Sequence, residues 1–133
     1  MPTPNPFDAL AGRRYVRLST FRRSGKAVPT PVWFARVGEN LYVVTGRNTG
    51  KAKRIRNNPG VALAPSDFRG RQKGRDLRAV AHLTDQQKGG PADRALGSKY
   101  GWQYSVFGFV ERLLGSADDL VFLELRPPEE RGD

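Results

Sequence analysis

The chain has no cysteine, one histidine, one methionine and no long apolar run. Without cysteine there is no disulfide, no thiolate metal site and no cysteine nucleophile. His82 alone makes neither an ordinary zinc site nor a visible catalytic triad, and its place in an alternating segment reads as structural. No stretch has bilayer-spanning length and no leader-like apolar segment opens the sequence, so a cytoplasmic protein without a membrane span is expected. Acidic residues are missing from one place in particular. From Arg47 to Arg56 the chain carries Arg47, Lys51, Lys53, Arg54 and Arg56 and no Asp or Glu.

What is present suits one soluble domain over residues 1–133, with 38% hydrophobic and 27% charged residues. The net charge of +10 is unevenly placed: residues 1–78 hold 17 Lys/Arg against 4 Asp/Glu, and the remainder 6 against 9. Such a basic half attracts nucleic acid, an acidic membrane or a polyanionic small molecule, and charge alone does not choose among them.

Alternation and turn residues predict six strands, over 13–22, 27–37, 41–47, 61–67, 77–85 and 120–127. A short N-terminal helical turn is expected over 5–12, with Asn5 as cap and Pro6 at the first helical position. Pro29 and Pro31 cannot donate to a ladder, which puts their strand at an edge. A basic helix spans roughly Lys51 to Asn57 and stops at Pro59. A helical insertion occupies about 91–115: one helix to Tyr100, then an apolar stripe of Val106, Phe109, Val110, Leu113 and Leu114. Tight turns between most strands suggest a small antiparallel barrel or sandwich with helical additions.

The loop after the third strand has no Walker ending, because Ala52 follows Lys51, and lacks the glycine spacing and βαβ context of a dinucleotide fold. Thr45 at the strand end, Arg47 in the loop and Lys51 at the helix start can converge on one phosphate, with Lys53, Arg54 and Arg56 widening the field. Five cations without an acid repel one another unless an anion is present. Thr30, Pro31, Val32 and Trp33, with Phe34, form a proline-interrupted segment suited to lying against a flat ring. The Tyr100-Gly101-Trp102-Gln103-Tyr104 cluster reads as packing.

The order of these segments resembles the pyridoxamine-phosphate-oxidase-like split β-barrel proteins, and most closely their actinobacterial branch that uses the deazaflavin F420. The elements that carry the likeness are Pro31-Val32-Trp33-Phe34, the run from Thr45 through Lys51 and Arg54-Ile55-Arg56 to Asn58-Pro59, then Ala64-Pro65, Arg69-Gly70-Arg71 and the later KYGWQY. The resemblance implies a mainly β, six-stranded antiparallel split β-barrel that works as a homodimer. It also implies a cofactor phosphate on Lys51, Thr45 and Arg47, and a cofactor ring along Pro31–Trp33. On this likeness the protein is an oxidoreductase passing a hydride between F420 and an electron-poor conjugated small-molecule substrate, the chemistry lying in the cofactor rather than in a catalytic dyad. Lys53, Arg54 and Arg56, with Arg71 or Lys73, are expected from their charge to steer the anionic tail of F420. FMN is the alternative cofactor, in an oxidoreductase or a carrier of the same fold. Oxidation of pyridoxamine phosphate itself is not expected, since the C-terminal Arg and His set of those enzymes is missing. A different class remains beside these: a nucleic-acid-binding barrel with Trp33, Phe34 or Tyr42 stacking on bases.

Overall fold

The computed structural model describes residues 5–87, 89–106 and 120–128. Seven strands form one sheet: β1 (Tyr15–Phe21), β2 (Ala27–Val32), β3 (Ala35–Val37), β4 (Asn40–Gly46), β5 (Gly60–Ser66), β6 (Leu77–Leu83) and β7 (Leu120–Arg126). The described residues also include α1 (Gly50–Asn57), α2 (Pro91–Tyr100) and an N-terminal 3-10 helix (Pro6–Leu10), with residues 102–106 helical after α2. The strand order is β2-β1-β5-β6-β7-β4-β3, and every pairing is antiparallel.

The strand expected over 27–37 is two strands, which corrects six to seven. Trp33 and Phe34 interrupt it. Phe34 turns into the core at 3% exposure, while Trp33 lies flat against Tyr100. The consequence is global. β2 and β3 are the two outermost strands of the sheet, yet three peptide steps connect them, a reach of at most about 11 Å. The sheet must therefore curl until its edges meet, giving a half-barrel with a split. Pro29 and Pro31 sit on the edge strand β2, opposite Ser19 and Arg17 of β1, where their missing N–H groups interrupt no second ladder.

The split is not uniform. β3 pairs with β4 only over Asn40–Tyr42, so Val43 to Gly46 has no strand on that side. β2 and β4 thus border a slot that α1 caps at one end and the Trp33-Phe34 crossover closes at the other.

Alternation sends Val16, Leu18, Leu63, Val43, Leu123 and Leu125 into the barrel, where they form the main core. Ile55 of α1 joins that core from one end, and Phe7 and Leu10 of the 3-10 helix join it from the other. Asn5 caps the 3-10 helix by accepting from the Phe7 N–H at 2.8 Å, and Pro6 opens it as expected. A second cluster on the outer face packs Ala92, Leu96 and Tyr100 of α2 against Ala35, Tyr42 and Phe122. Of the apolar stripe expected over 106–114, only Val106 falls within the described residues, and it is exposed.

Candidate functional site

Helix α1 begins because Thr49 caps it: the Thr49 hydroxyl accepts from the Ala52 N–H at 3.2 Å and donates to the Gly46 carbonyl at 2.9 Å. It ends at Asn58, whose N–H returns to the Arg54 carbonyl at 2.8 Å before Pro59. Ala52 and Ile55 face the barrel and are buried. No acidic residue occupies the first turn; Lys51 does. A cation at the positive end of the helix dipole opposes the field, so this turn favours an anion from outside.

Lys51 is half-buried, and that burial, followed by the positive charge of Arg54, lowers its pKa. Among the described residues no carboxylate pairs with it. Thr45, at 7% exposure, points inward from the end of β4 with its Oγ1 3.4 Å from that of Thr49. Arg54, one helical turn after Lys51, is turned inward and donates from Nε to Oγ1 of the fully buried Thr20 at 2.6 Å. The structure therefore gathers Thr45, Thr49, Lys51 and Arg54 at the α1 end of the slot.

It does not gather all five cations there. Lys53 projects to solvent two positions from Lys51, on the opposite side of the helix. Arg56 folds back to donate to the Arg47 carbonyl at 2.9 Å, and both of those arginines are exposed. Arg71 is engaged as well. The Asp67 carboxylate accepts from the Arg69 and Arg71 N–H groups and from Arg71 Nε at 2.7 Å. Those hydrogen bonds outweigh desolvation and hold its pKa at about 2. Lys73 remains exposed in the same loop. That loop folds against the outer side of β2: Gly70, at φ +82°, leaves its missing Cβ position only 3.2 Å from Pro31 Cδ.

The other wall of the slot is β2. Pro31 is exposed, Val32 and Trp33 are half-buried, and Thr30 faces the interior opposite Leu18. Thr30 Oγ1 is a buried side-chain oxygen without a hydrogen-bond partner among the described residues. An unpaired buried hydroxyl on β2 and a half-buried cation without an acid on α1 are each what a missing polar ligand would leave behind. These residues thus fit a group that brings a phosphate to Lys51 and polar atoms to β2.

Two contributors escaped sequence reading. Thr49 was detectable as a Thr before a helical run. Thr20 shows only as a polar residue at an inward position of β1, and nothing local pairs it with Arg54, 34 residues away. The aromatics proposed as base platforms are committed elsewhere: Phe34 and Tyr42 are buried, and Trp33 is stacked on Tyr100. Of the aromatic cluster expected to pack, Tyr100 does so, its hydroxyl donating to the Arg14 carbonyl at 2.7 Å and accepting from the Phe34 N–H at 3.0 Å, whereas Trp102 is exposed. His82 is exposed on the outer face, opposite Glu124.

A family profile described as Pyridoxamine 5'-phosphate oxidase matches residues 4–131. The chain belongs to that family. Among solved structures, the pyridoxamine 5'-phosphate oxidase fold recurs in an F420 reductase, at 22% identity and a TM-score of 0.61, covering 96% of this chain and 97% of that one. It recurs in HutZ, the heme storage protein from Vibrio cholerae, at 16% identity and a TM-score of 0.62, covering 96% and 93%. A conserved hypothetical protein from Mycobacterium tuberculosis matches at 17% identity and a TM-score of 0.66, covering 100% and 93%. No curated protein matches the sequence. At these identities the similarity to solved structures shows the fold. Among the described residues no helix is long and apolar enough to cross a membrane, and no group of His, Cys, Asp or Glu is arranged to hold a metal.

Proposed function

We propose that the protein is an F420-dependent oxidoreductase acting on an electron-poor, conjugated small molecule, and that it works as a homodimer. The observation that carries this reading is Lys51: a half-buried ammonium at a helix start, beside the split and without an acidic partner among the described residues. Lys51 would hold the cofactor phosphate, with hydrogen bonds from Thr45 and from the free N–H groups of α1. Arg54, anchored on Thr20, adds fixed positive charge beside it. Thr30 to Trp33 would flank the ring, with Trp33 held in place by Tyr100.

Bound in this way, a deazaflavin would supply hydride-transfer chemistry. The protein's share is to bind, orient and exclude water, which suits a site built from threonines, cations and apolar walls without a catalytic dyad. Support for F420 over FMN comes from the exposed, outward-facing cations of the same loop and helix: Arg47, Lys53 and Arg56 offer an anionic tail that leaves the site a field that a lone phosphate does not need.

Calorimetric titration of the purified protein at low salt is expected to show F420 binding tighter than FMN. Equal or stronger FMN binding, or a yellow preparation with a flavin spectrum, would replace F420 by FMN. Failure to bind either overturns the reading.

A further inference from the structure

Among the described residues, the large apolar side chains left exposed are Phe68, Trp102 and Val106, and they lie at the end of the barrel away from α1. Strand β1 fixes that placement. Near its finish Thr20 meets Arg54 of α1, whereas its first residue, Tyr15, pairs with Ser66, two residues before Phe68. Along the strand roughly 17 Å separates Tyr15 from Thr20. Arg14, just before Tyr15, hydrogen-bonds to the Gln103 side chain and lies 5.2 Å from the centre of the Tyr100 ring. It thereby ties Trp102, the neighbour of Gln103, to the same end. Trp102 and Val106 stand four residues apart in the helical stretch after α2 and so share a face.

Phe68 is held outward. Its loop is braced by the Asp67 carboxylate, which accepts from the Arg69 and Arg71 N–H groups, and by Lys73, whose N–H donates to the Pro65 carbonyl at 2.7 Å. The ring is 62% exposed and Trp102 is 74% exposed. Around them stand four exposed cations without an acidic partner among the described residues: Arg14, Arg69, Lys73 and Arg75. Asp67 and Asp8 are held by Arg71 and Arg36, which leaves Asp76 and Glu39 as the neighbouring unpaired acids. Lys99, against the Phe34 ring, has its pKa lowered to about 8 by burial and then by the charge of Arg14, a sign of how little negative charge this end holds.

We propose that this end of the barrel docks on an anionic lipid surface, with Trp102, Val106 and Phe68 entering the interfacial layer and the surrounding cations meeting lipid phosphates. Aromatic side chains set among Lys and Arg match that layer, whose apolar interior lies beneath anionic headgroups. Charge separates this partner from a second copy, because the same patch on two copies would set cation against cation. The side chains separate it from nucleic acid: Val106 offers no stacking surface, and the Arg69 guanidinium already lies over the Phe68 ring at 5.4 Å. Helix α1 also carries cations, but no large apolar side chain is exposed there among the described residues, so the aromatics choose the end that docks. The proposal does not depend on the cofactor reading, since none of these residues belongs to the α1 cluster.

Flotation of the full chain with lipid vesicles tests it. Binding to phosphatidylcholine vesicles containing about one-third phosphatidylglycerol is expected to be at least roughly tenfold tighter than to phosphatidylcholine alone, as each cation near an anionic surface adds about fivefold. Trp102→Ser and Phe68→Ser alter exposed positions, so both should fold, and each should weaken that binding severalfold. Vesicles with brominated acyl chains should quench tryptophan fluorescence in the parent but not in Trp102→Phe, which keeps Trp33. Equal binding to neutral and anionic vesicles, binding without acyl-chain quenching, or serine variants that bind as the parent does would each overturn the proposal. Retention of a single-stranded oligonucleotide in place of vesicles would assign the patch to nucleic acid. Loss of self-association in the serine variants, read by sedimentation velocity, would assign it to a second copy, and either result overturns the proposal as well.

Discussion

Trp33 lies flat on Tyr100, with ring centroids 4.5 Å apart and planes 11° from parallel. This contact pins the crossover between the two edge strands to α2 and so helps to set where the split closes. Tyr100 also bridges the Arg14 carbonyl and the Phe34 N–H through its hydroxyl. Tyr100→Phe keeps the stack and strips those bonds, and should destabilise the fold by about 1–3 kcal/mol in urea unfolding. Tyr100→Leu should lose about 0.5–1.5 kcal/mol more, because the ring pair goes as well.

Arg54 and Lys53 are neighbours in sequence with opposite assignments. Arg54→Met leaves the Thr20 hydroxyl buried without its partner, so a loss of about 1–3 kcal/mol is expected in chemical denaturation. Lys53→Ala, on the solvent side of α1, should stay within about 0.5 kcal/mol of the parent. Comparable losses for the two would contradict the inward orientation of Arg54.

Thr30→Val replaces an unpartnered buried hydroxyl by a methyl of similar shape that suits a strand equally well. The ligand-free protein should gain about 1 kcal/mol, seen as a higher melting temperature. F420 affinity should fall in the same variant if the hydroxyl serves the cofactor.

Lys51→Ala should weaken F420 binding by about 1.5–3 kcal/mol, the scale of a hydrogen bond to a charged group. The ligand-free variant should be as stable as the parent or slightly more so, since burial of the ammonium is unfavourable in the absence of an anion. Unchanged affinity would move the phosphate elsewhere.

The pH response of Lys99 has a defined sign. Its pKa is about 8 in the folded chain against 10.5 ordinarily, so between those values the unfolded chain binds more protons. Stability therefore rises with pH across this window, and the penalty is fully present below it. Tyr100, raised to about 12 chiefly by burial, opposes this above pH 10. Comparing the parent with Lys99→Met between pH 8 and 10 should show the parent gaining on the variant.

The residues themselves determined most of the local structure. The Asn5-Pro6 start, the edge position of the Pro29/Pro31 strand, the Asn58-Pro59 stop of α1 and the span of α2 all follow from short-range rules of donors, caps and backbone sterics. The basic loop-helix and its lack of acids were equally plain. Only the tertiary structure decided that residues 27–37 make two strands, because the break depends on a Trp33 stack with a ring 67 positions away and on the burial of Phe34. It likewise sorted five similar cations into an inward pair, Lys51 and Arg54, and an outward set. Charge and spacing describe where along the chain a cation lies. Which way its side chain faces is set by the helix phase relative to the barrel and by partners such as Thr20, which sequence proximity does not reveal.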